Sequence, residues 1–371
     1  MKSSCDVAVI GGGVIGHSVA YQLAKRKIDV AVFESEKIGQ KATRAAAGML
    51  GAHSEVEEED LFFKFSVDSQ KMFLPLQQEL LSISGIDIQY NREGMLKLVF
   101  SEKKKADLIG KTNGRQGQTW LSPDEVKACE PEVTSKALGA LFFPDDGHVS
   151  PIALNQAFSK GAAKLGAAIH EHSPVMNIAK DGENFLLHTP NGKVSCAKVV
   201  VANGPWSHYF FQQLGLPNQV FPVKGECLSL KTSEKWLTKT IFFDHCYLVP
   251  KNDGRIIVGA TMIHDEWSHS PTASGIQWLL EKAKEILPKI SKAEFDTAWA
   301  GLRPQTSDGK PYIGYHPEDE NLVFATGHYR NGILLSPVTG TMVRDLVEKR
   351  SFTSEYTEEF SIDRCRKLEV S

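Results

Sequence analysis

Val7-Ala8-Val9-Ile10-Gly11-Gly12-Gly13-Val14-Ile15-Gly16 is an apolar strand running into a glycine-rich turn, and a second apolar stretch closes at Glu34. Gly11, Gly13 and Gly16 keep the Gly-x-Gly-x-x-Gly spacing, and the acid follows about 18 residues after the last of them. Strand, glycine turn, helix and acid together are the fingerprint of a Rossmann βαβ unit that holds a dinucleotide. Gly11 permits the turn, Gly13 lets backbone amides approach a pyrophosphate, and Gly16 lets the helix pack closely on the sheet. The free N–H groups and positive dipole end of that helix face the phosphates. Glu34 is expected to accept the ribose hydroxyls and to repel the 2′-phosphate of NADP. The fingerprint alone leaves NAD and FAD both open.

Composition narrows the setting. A chain of 371 residues with 42% hydrophobic and 23% charged residues is ordinary for a globular protein with a substantial core. A formal net charge of -3 gives no electrostatic case for nucleic acid or an anionic membrane. No apolar run is long enough to span a bilayer, and the first apolar residues read as a strand rather than a secretory leader. The six cysteines, at 5, 129, 196, 227, 246 and 365, form no Cys-x-x-Cys pair. They fit reduced thiols in a cytoplasm better than a disulfide framework or a zinc site, and the histidines show no ligand spacing, so no metal is expected.

Beyond the opening unit, small residues from Lys41 to Gly51 suit close approach of a ligand. Apolar spacing predicts a helix from about Glu57 to Leu81, strands between Ile86 and Phe100, and a helix over about 155–165 leading to a strand at Ala167–His170. Val199-Val200-Val201-Ala202 reads as a strand buried on both faces, ending in the loop Asn203-Gly204-Pro205-Trp206. Strands are predicted at Phe221–Leu230, Thr240–Pro250, Arg255–Met262 and about 294–300, with a helix near 275–287. Leu322–Thr326 is a last buried strand, and Gly327 leads through Asn331-Gly332 into a terminal helix. The expected fold is α/β (α+β): a Rossmann-type nucleotide-binding domain and a discontinuous, mainly antiparallel β-sheet substrate domain. The expected boundaries are 1–85, 145–218 and 302–371 for the first, and 86–144 and 219–301 for the second. This interleaving points to FAD, because flavin and substrate must meet at an interface.

With a flavin accepting electrons, no nucleophile or acid–base residue is required, and no Gly-x-Ser-x-Gly elbow is present. The protein must instead position the substrate. Arg303, read as following an apolar strand end in Trp299–Pro304, is the candidate carboxylate anchor, its planar fork suited to two parallel hydrogen bonds. Arg330, between a strand and a helix, can face either the ring or a substrate anion. Tyr247 alternates with Cys246 on a predicted strand and by pattern alone belongs to the core. His245 is a possible base or a structural histidine on that strand, and Met49 and Met262 are packing residues or the floor of a small pocket.

These residues resemble a known family, the D-amino acid oxidase superfamily of FAD amine oxidases, and within it the glycine oxidases of thiamine biosynthesis. The resemblance runs through Ile10–Gly13, Ala45–His53, Pro222–Ser229, Asp244–Tyr247, Val258–Met262, Trp299–Pro304 and Gly327–Leu334. It implies noncovalent FAD held by Val14, Ile15, Glu34, Ser35, Ala42, Thr43, Ala47, Gly48, Met49 and Val175, with Gly204 nearby. His328, Tyr329, Arg330, Asn331, Gly332, Ile333 and Leu334 would line the flavin. Related sarcosine oxidases attach flavin through a cysteine near the Arg303 region, and none lies between 247 and 364 here. The implied reaction is oxidation of glycine, with sarcosine and small D-amino acids, to the imine, giving hydrogen peroxide and either ammonia with the 2-oxo acid or a thiazole precursor. Arg303 matches the carboxylate anchor, with Arg330 and Tyr247 at substrate-contacting positions. A homotetramer is implied, with no partner beyond the small amino acid and O2. Sarcosine or D-amino acid oxidase, or a quinone-linked D-amino acid dehydrogenase, are the alternatives. The segment Ile263–Trp267 departs from the family's pattern.

Overall fold

The computed structural model describes residues 2–55, 58–112, 117–350 and 354–367. Its first sheet has eight strands, with the order Tyr312–His316, Asp319–Thr326, Gly192–Val201, Ser4–Ile10, Val30–Phe33 and Ala168–His170 along its main path. Ser4–Ile10 pairs in parallel with Gly192–Val201 and Val30–Phe33, and parallel pairing continues to Ala168–His170 on one side and Asp319–Thr326 on the other. The hairpin Asn177–Asp181 and Asn184–Thr189 extends Gly192–Val201 antiparallel.

Side-chain alternation explains why these central strands are apolar throughout. Val7 and Val9 enter a core with Tyr21, Phe65, Phe73, Phe158 and Met342, whereas Ala8 and Ile10 enter a second one with Phe33, Phe211, Tyr312 and Phe324. A strand with period two and a core on each face has no polar side to offer. Helices Val14–Lys25, Leu61–Ser84, Pro151–Lys164 and Gly332–Val347 cover the first face, packed on one another.

The second sheet has nine strands, mostly antiparallel. Its axis is a ribbon in which Val220–Lys231 pairs with Glu294–Thr306 from Val220↔Thr306 to Lys231↔Glu294. Leu228, Leu230, Leu248 and Val258 pack under helix Ala273–Ile286, while the opposite face carries Cys227, Phe242, Tyr247, Val249 and Ala260. That second face looks toward the carboxyl ends of the first sheet's parallel strands.

Several boundaries differ from the sequence reading, each for a local reason. The predicted helix start at Glu57 lies outside the described residues; the helix begins at Leu61, where the Asp60 side chain accepts from Phe63 N at 2.9 Å, and stops at left-handed Gly85. The helix expected at 155 begins at Pro151, capped by Ser150. Between Ile86 and Phe100 only Met95–Val99 is a strand, with Asn91 making an isolated bridge to His148. Thr240–Pro250 is not one strand but the hairpin Thr240–Phe243 and Cys246–Pro250, turned at Asp244 with φ 50°. Asn203-Gly204-Pro205-Trp206 follows the end of its strand at Val201 as expected, and its last three residues form a single 3-10 turn, Gly204–Trp206.

The glycine turn is the tightest point of the first sheet. Gly11 has φ +109°, and a Cβ on Gly16 would overlap the Gly11 carbonyl. Gly16→Ala should therefore destabilise the protein by about 1–3 kcal/mol, the usual cost of overpacking. A urea-unfolding midpoint equal to that of the unsubstituted protein would contradict this packing.

Candidate active site

A cavity of about 700 Å³ opens where the parallel strands of the first sheet end, against the free face of the second. Its wall includes Ile10, Gly11, Phe33, Glu34, Ala202 and Asn203 from one sheet and Gly225, Cys227, Tyr247 and Arg303 from the other. Crevices at strand carboxyl ends are where open α/β sheets bind ligands, because helix N-termini converge there.

At its nucleotide end, helix Val14–Lys25 starts at Gly13 with no side-chain cap and no acid in its first turn. Thr43 Oγ1 accepts from Val14 N at 3.0 Å, fixing the turn against the following segment. The dipole end is left for an external anion. Glu34 lies just past its strand, nearly buried. One carboxylate oxygen accepts from Gly12 N at 2.7 Å, the other from Ser35 Oγ at 2.8 Å and Glu36 N at 3.1 Å. A carboxylate offers about four acceptor positions, so capacity remains for a ribose hydroxyl. A helix start with no acid in its first turn, followed by a buried acid at the cavity wall, fits the pyrophosphate and ribose of a dinucleotide.

The middle of the cavity is walled by Ala42, Ala45, Ala46, Ala47 and Gly48, small enough for a flat ring system to lie close. This strip is pinned from behind. Trp299 Nε1 donates to the Ala45 carbonyl at 3.1 Å, and Gly301 leaves room for the Ala45 methyl. Lys251 Nζ donates to the Ala47 carbonyl at 2.6 Å and to the Val149 carbonyl at 3.1 Å. Burial lowers the Lys251 pKa to about 7, with Asp253 opposing and Arg255 reinforcing the shift. His148, buried beside it, is held neutral: burial and the Lys251 charge bring it down to about 2.

The far end carries the charge. Arg303 Nη1 donates to the Thr261 carbonyl at 3.2 Å, and among the described residues no carboxylate pairs with Arg303. Its guanidinium lies over Gly225, where any Cβ would overlap it, and the Tyr247 ring lies over Gly259 in the same way. Burial, and next the neighbouring Cys227, raise the Tyr247 phenol well above its ordinary range, so it remains a neutral donor. Cys227 Sγ sits 3.7 Å from the Tyr247 hydroxyl, and burial pushes that thiol up as well. Arg330 is different: Glu55 Oε2 lies 2.9 Å from Nη2, and its charge raises the Arg330 pKa further. His328 is buried, brought down to about 3 by burial, and shares a hydrogen bond of 3.0 Å with Thr339 Oγ1.

The sequence-derived candidates distribute unevenly over this wall. Gly13, Val14, Ile15, Ser35, Ala42, Thr43, Gly48, Met49, Val175, Gly204, Tyr329, Gly332 and Ile333 all reach it. Gly16, Asn331 and Leu334 are not part of it. Gly16 faces the Gly11 carbonyl, Asn331 precedes helix Gly332–Val347 at its N-cap position without a side-chain capping bond, and Leu334 is in the core with its carbonyl accepting from Ser69 Oγ at 2.6 Å. Arg303 does not follow a strand end; it lies inside Glu294–Thr306, opposite Val223. His245 is in the hairpin turn, exposed at the rim, rather than on a strand, and Met262 is 41% exposed there with its sulfur accepting from the Tyr329 hydroxyl at 3.4 Å. Glu55, Cys227, Thr261 and Lys251 escaped the sequence reading. Only Cys227 carried a signal, since it sits two residues from Gly225 and hence on the same face of a strand.

Lys251 makes stability depend on pH in a definite direction. Its folded pKa of about 7 lies below the ordinary 10.5 of an unfolded lysine, so between those values the unfolded chain holds more protons. The contribution of this site should therefore rise with pH across that window. Comparing urea-unfolding free energies from pH 7 to 9, Lys251→Met should lose part of the rise. Parallel curves for the two proteins would rule the effect out.

Comparison with known proteins agrees with this geometry. The family model described as FAD dependent oxidoreductase (DAO) matches residues 6–346. Over 370 residues the chain is 46% identical to a protein named glycine oxidase from Bacillus subtilis, covering 100% of each. The crystal structure of glycine oxidase from Geobacillus kaustophilus superposes with a TM-score of 0.94 at 38% identity, over 97% of this chain and 99% of that one. A bifunctional protein ThiO/ThiG from Synechocystis sp. is 34% identical over 94% of this chain and 52% of its own length. A helix begun at a glycine turn, a buried acid at the cavity wall and a full-length match to this family agree: the chain belongs to the FAD-dependent oxidoreductases of the DAO family, and its cofactor is FAD.

Proposed function

We propose that this enzyme is a glycine oxidase that also takes sarcosine and small D-amino acids, oxidising the amine to an imine with release of hydrogen peroxide. The observation that carries the reading is Arg303: a guanidinium in the cavity wall, steadied on a backbone carbonyl, with no carboxylate of its own among the described residues. A half-buried guanidinium with no carboxylate partner is half of an ion pair, and a substrate carboxylate completes it through two parallel hydrogen bonds. Arg330, already paired with Glu55, is a second contact rather than the anchor.

The division of labour along the chain follows the same reading. Residues 1–85, 145–218 and 302–371 are assigned to FAD binding, and 86–144 and 219–301 to the substrate side. What supports it is that every strand of the first sheet falls in the first set, and every strand of the second sheet in the other except Glu294–Thr306, which crosses the boundary.

FAD, when bound, accepts the equivalent of a hydride from the substrate carbon and passes the electrons to O2. The chain's own residues supply geometry. Arg303 holds the carboxylate and the Tyr247 hydroxyl, kept neutral by its surroundings, donates to it. Ala46, Ala47 and Gly48 give the same cavity a wall of small residues. No side chain is asked to take a proton from carbon: the substrate amine arrives unprotonated and its lone pair drives the loss of hydride. Such positioning is worth about 7–11 kcal/mol when reacting atoms are held in line. In thiamine synthesis the glycine imine would feed thiazole formation. The family resemblance further supports a cytoplasmic homotetramer, which light scattering on the FAD-loaded protein tests directly.

Peroxide release over a concentration range of glycine, sarcosine, D-alanine and D-proline tests the substrate reading, with glycine expected to turn over. Arg303→Ala should lose about 2–5 kcal/mol, the cost of truncating one partner of a desolvated charge pair. That is a fall in kcat/KM of about 30- to 4000-fold. Near-normal glycine turnover in this variant would remove Arg303 from the anchor role.

A further inference from the structure

Next to the anchor lies a buried ion pair that the reaction does not use. Glu226 is 0% and Lys224 2% exposed, on the strand that pairs with the one carrying Arg303, and Lys224 Nζ lies 3.5 Å from Glu226 Oε1. Burying such a pair gains little stability over well-packed apolar residues, so its presence needs another reason.

The remaining bonds of Glu226 give one. Its Oε2 accepts from Thr261 Oγ1 at 3.2 Å, its backbone N donates to Thr261 Oγ1 at 2.9 Å, and its carbonyl accepts from Thr261 N at 3.3 Å. Its Oε1 accepts from Thr272 N at 2.7 Å, at the start of helix Ala273–Ile286, where the helix dipole favours a negative charge. Gly275, in the first turn of that helix, lacks the Cβ that would overlap Glu226 Oε2. Thr261 is thus held on three sides by a single residue, and the Thr261 carbonyl is the group on which Arg303 Nη1 rests.

We propose that Glu226 is a positioning residue for the Arg303 anchor, acting through Thr261. The proposal rests on the reading of Arg303 as the carboxylate anchor. A carboxylate placed directly on Arg303 would orient it but would also occupy the fork that the substrate needs. Routing the constraint through a neutral carbonyl fixes one N–H and leaves the other donors and the full charge for the substrate. Lys224 and the helix dipole balance the Glu226 charge, so that it does not draw the guanidinium away.

The test uses the FAD-loaded enzyme and acetate as an unreactive monocarboxylate, its dissociation constant read from the perturbation of the flavin absorbance and its competition with glycine. Glu226→Gln keeps an acceptor oxygen but removes the charge and the paired geometry. Thr261→Val keeps the carbonyl that Arg303 uses but removes its hydroxyl tether. Acetate binding should weaken about tenfold or more in the first variant and several-fold in the second. KM for glycine should rise in step while kcat changes by less than about threefold. A merely structural role would lower the thermal midpoint and leave acetate binding alone. Acetate constants within twofold of the unsubstituted enzyme in Thr261→Val, together with a large loss in Arg303→Ala, would overturn the proposal while sparing the anchor. Undiminished acetate binding in Arg303→Ala would overturn the anchor reading, and this proposal with it. Should Glu226→Gln fail to retain FAD, Thr261→Val decides.

Discussion

The antiparallel ribbon formed by Val220–Lys231 and Glu294–Thr306 is the constraint on which the site depends. Twelve paired positions, from Val220↔Thr306 to Lys231↔Glu294, lock the register of two long strands, and a one-residue slip would turn every side chain to the other face. With the register held, Cys227 and Gly225 face the cavity, Leu228 and Leu230 face helix Ala273–Ile286, and Glu226 reaches the start of that helix. The same ribbon delivers Gly301 against Ala45 and Arg303 over Gly225, so it joins the alanine strip of the cavity wall to the proposed carboxylate anchor. Few other elements touch both ends of the cavity.

Charge in this cavity is arranged by contrast. Two arginines approach the same small volume, and one of them is neutralised by Glu55 while the other rests on a carbonyl. Two free positive charges would favour a dianion; one paired and one free suit a single carboxylate. Tyr247 and His328 are kept neutral by burial, so neither competes for that carboxylate as an ion. On the proposed reading of Arg303, selectivity for a small monocarboxylate comes from what is cancelled as much as from what is offered.

Much of the first sheet was readable in the residues, because its information is local. The alternation of Val7, Ala8, Val9 and Ile10, the glycine spacing and the acid at Glu34 each act within a few residues of where they stand. The positions of Gly13, Val14 and Ser35 at the cavity wall follow from the same turn. What could not be read depends on register between distant strands or on a cap one residue long. Arg303 was expected past a strand end, yet the strand continues to Thr306 because Val220 lies opposite to pair with it. His245 was expected on a strand, yet Asp244 takes a left-handed conformation and makes a turn there. The partnership of Glu55 with Arg330 spans 275 positions in the chain and leaves no trace in either neighbourhood. The family resemblance implies Leu334 at the flavin with the rest of His328–Leu334, but helical rotation sends it to the core.

The cavity wall begins at Ile10 and ends at Ile333, with pieces drawn from both sheets and the loops between them. No contiguous fragment of this chain can assemble it. Cofactor binding therefore depends on folding that brings strand Ser4–Ile10 and the start of helix Gly332–Val347 together, since each supplies part of the wall. Binding in turn tightens the closed form, by about 2.7 kcal/mol when free cofactor stands a hundredfold above its dissociation constant. Bound cofactor in a preparation would then report the chains in which both ends of that wall have come together, which a measure of secondary structure would not count.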